Sequence, residues 1–119
     1  MNRPEETLHR AIVAHLRARL PRPWFAYHIP NGGYRSKSEG GRFKAMGVMP
    51  GLPDITIKGP DRAEYCLEVK APRGSLSPAQ RDAIAALAAC GIETRVVRSL
   101  DEALEALVEM GVPLKGKVL

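Results

Sequence analysis

Leu8, Ile12 and Leu16 recur every four residues near the start of the chain, and Ala11 and Val13 widen the apolar stripe. This spacing predicts an amphipathic helix over residues 4 to 20. Pro4 stands in its first turn, where a missing N–H is harmless, Glu5 and Glu6 suit the positive end of the helix dipole, and Pro21 ends it. Residues 24 to 29, WFAYHI, are aromatic-rich and bounded by Pro23 and Pro30, which predicts a strand. The pattern then changes: PNGGYRSKSEGGRFKAMGVMPGLP, residues 30 to 53, is dense in Gly, Pro and basic residues. It reads as a long loop with one helical turn around Glu39 to Met46, and a loop of that length in a small domain usually serves function.

Two strands follow, residues 54 to 58 and 64 to 70, joined by the turn-prone GPDRA. Pairing Ile55 with Leu67 and Ile57 with Tyr65 puts four apolar side chains on one face, because side chains alternate along a strand. The same register sets Lys58 opposite Glu64 and Asp54 opposite Glu68. Ser77, with Pro78 next and Gln80 three positions on, forms a capping-box signature, and the helix it opens runs to Cys90 and stops at Gly91. Residues 92 to 97 predict another strand, and Ser99 or Asp101 starts a last helix to about Met110. Residues 112 to 119, VPLKGKVL, carry no assignable pattern. The predicted order is α-β-β-β-α-β-α, without internal repeat.

The chain has 119 residues, of which 45% are hydrophobic and 26% charged, a composition expected of a single soluble globular domain over 1–119. Lys and Arg outnumber Asp and Glu by 18 to 13. The resulting +5 favours a polyanionic partner, although charge alone does not separate that from a solvated basic face. Cys66 and Cys90 stand singly and are expected to be buried or semi-buried thiols in a reducing compartment. No apolar run is long enough to span a membrane and the N-terminus lacks a signal-peptide pattern, so a cytoplasmic location is expected. His9, His15 and His28 show no metal-ligand spacing; His15 is expected on the helix surface and His28 as a strand residue. Met46, Met49 and Met110 are expected to serve packing.

Chemistry enters with Asp54 and Glu68. Side chains directly opposed on neighbouring strands lie about 4.5 to 5.5 Å apart at Cβ, and two like charges there repel. A shared proton, a nearby Lys or Arg, or a divalent cation can offset that repulsion. Hard oxygen ligands suit Mg2+ or Mn2+. Lys70, two residues after Glu68, points to the same face, where it can orient a water or neutralise charge developing on a phosphate. On a basic protein this trio proposes metal-assisted hydrolysis of a phosphodiester, the alternative being a surface hairpin with ordinary salt bridges.

Asp54, thirteen intervening residues and then Glu68-Val69-Lys70 resemble the PD-(D/E)xK nuclease motif. The blocks PNGG at 30 to 33, GVMPGLPD at 47 to 54, EVK at 68 to 70, SLSPAQ at 75 to 80 and VVRSLDEAL at 96 to 104 narrow the resemblance to the VRR-NUC family, over nearly the whole chain. The resemblance implies an α/β restriction-endonuclease-like core, a mixed central sheet flanked by helices. It also implies metal held by Asp54, Glu68 and the backbone carbonyl of Val69. The family carries an acid in its first helix, usually in an E-x-x-hydrophobic-Q pattern; Glu5 matches it, with His9 where Gln is more usual. Helical geometry favours Glu5, which shares a face with Leu8 and Ile12, over Glu6. Gln80 falls where the family carries a glutamine that orients water or phosphate, and it equally reads as the partner of the Ser77 cap.

Asn31 is expected to hold its loop or touch substrate. Arg35, Lys37, Arg42 and Lys44, close before the Asp54 strand, are expected to grip the DNA backbone. The expected function is thus a Mg2+- or Mn2+-dependent DNA endonuclease that reads DNA shape, as in flaps or four-way junctions. The family resemblance to dimeric junction-cleaving enzymes of phage and bacteria implies a homodimer. The competing reading is a catalytically silent DNA-binding module of the same fold.

Overall fold

Asn2 begins the first helix by accepting a hydrogen bond from the Glu5 N–H at 2.9 Å, and α1 runs Arg3–Arg19 until Leu20 closes it on the Leu16 carbonyl. The computed structural model describes residues 1–30 and 37–116. Beyond α1 these form β1 (Phe25–His28), α2 (Lys37–Ala45), β2 (Ile55–Lys58), β3 (Glu64–Val69), α3 (Pro78–Ala89), β4 (Glu93–Val97) and α4 (Leu100–Met110). The order agrees with the sequence reading except that the single turn expected near residues 39–46 is a nine-residue helix, α2.

The sheet has the spatial order β1-β2-β3-β4. The first three strands are antiparallel, and β3 and β4 are parallel because α3 carries the chain back between them. The β2–β3 register is the one the apolar pattern requires, Ile55 opposite Leu67, Ile57 opposite Tyr65 and Lys58 opposite Glu64. Ile55, Ile57, Leu67 and Val69 build one core with Ile12 and Leu16 of α1 and Ala103 and Leu107 of α4. Glu68, by alternation, faces the other side of the sheet, where α3 lies and where Gln80 meets it.

From the segment that carried no pattern, Val112 is buried in this core, and the Lys115 N–H donates to the Arg19 carbonyl while Arg19 Nε donates to the Lys115 carbonyl. Three side chains depart from expectation. Cys66 is buried, but Cys90 caps the C-terminus of α3 in the open and is exposed. Met110 packs in the core, whereas Met46 and Met49, in the segment after α2, are 69% and 41% exposed. No helix of the described residues is long and apolar enough to cross a membrane.

Candidate active site

Asp54 precedes β2 by one residue, so its backbone lies between the ends of β1 and β3. On one side its carbonyl accepts from the Ile29 N–H and from His28 Nδ1 at 2.7 Å. On the other its N–H donates to Glu68 Oε1 at 3.1 Å, and its own Oδ2 accepts from the Val69 N–H at 2.8 Å. The approach of the two acids predicted from register is therefore built through reciprocal backbone bonds.

Gly51 brings α3 to the same place. With φ at +81° it adopts a conformation open mainly to glycine, and a Cβ there would lie 2.4 Å from the Ala79 carbonyl carbon and oxygen. The loop into Asp54 thus lies directly on the first turn of α3. From that turn Gln80 Nε2 donates to Glu68 Oε2 at 2.8 Å, and Gln80 Oε1 accepts from Lys70 Nζ at 2.8 Å. The same Oε1 accepts from the Ser77 N–H at 2.9 Å while Ser77 Oγ accepts from the Gln80 N–H, so the cap and the contact with the acids are one arrangement. Lys70 Nζ stands 3.8 Å from Glu68 Oε2.

Glu68 is 1% exposed and Lys70 9%. Burial first, then the neighbouring Asp54 charge, pushes the Glu68 carboxyl up to about 8, and Lys70 pulls it back only in part. Two carboxylates with one buried ammonium leave a deficit of positive charge, which a proton fills in the ion-free protein. A hard divalent cation would fill the same deficit, so the donor set fits the Mg2+ or Mn2+ that the sequence reading called for.

Glu5 is half-buried and its Oε1 accepts from the Ala71 N–H at 3.2 Å, two residues past Val69. Glu6 is exposed and pairs with Arg10 at 3.7 Å on the outer face of α1. Of the two candidate acids, Glu5 is the one turned toward the end of β3. Arg42 and Lys44 are exposed in the last turn of α2, and Lys37 is its first residue. Asn31 and Arg35 lie outside the described residues.

One grouping has no metal-ligand spacing in the sequence. His9 Nδ1 is buried without a hydrogen-bond partner, the His9 and His28 rings meet edge to face with centroids 4.5 Å apart, and both come close to Asp54. Burial first, and then His28, lowers the His9 pKa and favours its neutral ring. These residues stand 19 apart on a helix and a strand, so only the docking of α1 on β1 unites them. The available hint was a histidine one turn from Glu5 and in line with Ile12 and Leu16 on the buried stripe.

A family model described as the VRR-NUC domain matches residues 3–101. The fold is similar to that of a solved "VRR_NUC domain protein" at a TM-score of 0.68 and 22% identity, covering 93% of this chain and 90% of that one. A second solved structure, "VRR_NUC domain", aligns at a TM-score of 0.59 and 18% identity over 89% of this chain and 95% of that one. No curated protein matches.

Proposed function

Since the chain belongs to the VRR-NUC family, a family of nucleases, we propose that it is a cytoplasmic, single-domain DNA endonuclease that hydrolyses phosphodiester bonds with Mg2+ or Mn2+. The observation that carries this reading is the network at the ends of β2 and β3, in which Asp54, Glu68, Lys70 and Gln80 are linked by hydrogen bonds. Asp54, Glu68 and the Val69 carbonyl would hold the ion, with Glu5 as the further acid from α1. When bound, the ion supplies water activation and stabilises negative charge on the phosphate.

Lys70 brings a positive charge to the same spot and meets the charge that develops on the phosphate oxygens. Gln80 fixes Lys70 and Glu68 relative to each other, so the ammonium needs no rearrangement when the phosphate arrives. Arg42 and Lys44, with Asn31, Arg35 and Lys37 earlier in the segment, grip the DNA backbone. Contacts of that kind position a duplex without reading its bases, which supports selection by shape, as in flaps and four-way junctions. A homodimer would present two such sites to the two strands of a symmetric junction.

The test is cleavage of labelled single-stranded, duplex, flap and four-way-junction DNA by wild type and Asp54→Ala, with Mg2+, Mn2+ or EDTA. Cutting of the branched substrates that needs the ion and disappears in Asp54→Ala is expected. Wild type that binds every substrate and cuts none would replace the nuclease by a silent binding module.

A further inference from the structure

We propose that His9, His28 and Asp54 form a binding site for a divalent transition-metal ion, one that prefers imidazole nitrogen, on the β1 side of Asp54. One ring nitrogen from each histidine and one carboxylate oxygen of Asp54 all lie within 4.8 Å of one another, a spacing that a single ion can bridge. Among the described residues no other group of three His, Cys, Asp or Glu side chains is drawn together in this way. Two nitrogens and one oxygen suit Zn2+ or Co2+, and three protein ligands leave a position for water. Mg2+, which takes oxygen almost alone, is poorly served by this set.

Two further observations bear on the histidines. The His28 Nδ1 partner is the Asp54 backbone carbonyl, at 2.7 Å, and a carbonyl can only accept. Nδ1 therefore carries a proton, which in the neutral ring leaves the lone pair on Nε2, the tautomer that metal-binding histidines adopt when a backbone carbonyl holds the other ring nitrogen. His9 is only 8% exposed, and its Nδ1 has no hydrogen-bond partner within the protein. A buried ring nitrogen left unpaired is costly, and the ring stands against His28 and close to Asp54, where an ion would meet it. His28 is exposed, and it lines a cleft of about 590 Å³ between α1 and β1 together with His9, which gives the ion a way in from solvent.

The proposal adds nitrogen donors on the side of Asp54 opposite Glu68 and stands whether or not DNA is cut. It is tested by titrating the ion-free full chain with Co2+, followed by calorimetry and by visible absorbance, which reports nitrogen coordination. Wild type should bind with a nitrogen-type spectrum that excess Mg2+ does not remove. His28→Gln and His9→Gln should each weaken binding at least about tenfold, and Glu68→Gln should keep the nitrogen-type spectrum. Circular dichroism checks folding, and His28→Gln, altering an exposed side chain, keeps the test decisive if His9→Gln does not fold. Co2+ binding unchanged in folded His28→Gln, or a spectrum without nitrogen ligands in wild type, overturns the proposal. Cleavage in Mg2+ is scored separately: wild type that binds Co2+ through the histidines but cuts nothing removes the nuclease reading and leaves this site standing.

Discussion

Glu68 is buried between an aspartate and a lysine, and its acidity in the folded chain is set by that burial and by the neighbouring charges. Its carboxyl is pushed up to about 8, whereas an unfolded chain returns it to the ordinary range near 4.5. Between those values the folded protein holds a proton that the unfolded one has released, so stability of the ion-free protein falls as pH rises. The contribution is fully present below about 4.5 and is lost above about 8. Urea unfolding in EDTA from pH 5 to 9 should show this decline, amounting to a few kcal/mol, and Glu68→Gln should flatten it. An unchanged slope in Glu68→Gln would mean that another group titrates. At this scale Asp54, Glu68 and Lys70 were legible because strand alternation is a strict rule: once the apolar residues fix the register, the acids must meet. His9 and His28 were not, since their meeting depends on how a helix docks on a strand, which no local spacing encodes.

Helix α3 concentrates the link between elements and site in its first turn. Ser77→Ala removes one capping bond, the one the Gln80 N–H donates to Ser77 Oγ, and leaves the Gln80 side chain on Lys70 and Glu68. It should cost about 1 kcal/mol in denaturant unfolding with little change in cleavage rate. Gln80→Ala removes the donor to a buried carboxyl and the acceptor of a buried ammonium together. It should cost about 1 to 3 kcal/mol and also lower kcat for DNA cleavage by about tenfold or more, with KM less affected. Equal losses of rate in both variants would reduce Gln80 to a cap. The limits of α3 were legible because Ser77, Pro78, Gln80 and Gly91 each mark a helix end by a known mechanism. The full length of α2 was not, because Gly40 and Gly41 stand in its middle and each weakens a helix by about 1 kcal/mol.

For the whole molecule the question is where the +5 charge does its work. Most side chains of α2 are exposed, including Arg42 and Lys44, and the segment that follows it leads straight to Gly51 and Asp54. A basic helix joined in this way to the acids would place positive charge on DNA phosphates flanking the scissile bond. Each phosphate neutralised releases counterions, so the logarithm of affinity falls with the logarithm of salt in proportion to the contacts made. Arg42→Ala with Lys44→Ala should therefore reduce the steepness of that dependence by about 1 to 2 for a duplex-containing substrate, measured in EDTA so that nothing is cut. Unfolding should change by less than about 0.5 kcal/mol for each substitution, since both side chains lie in solvent. A steepness equal to wild type would move the grip to Arg10 and Arg17, which line the cleft beside His28. The two outcomes imply different paths for the DNA: over α2 and the loop that leads to Asp54, or along α1 and the edge of β1. The same salt titration on Arg10→Ala with Arg17→Ala decides between them, because only the helix that touches phosphate can change the number of ions released.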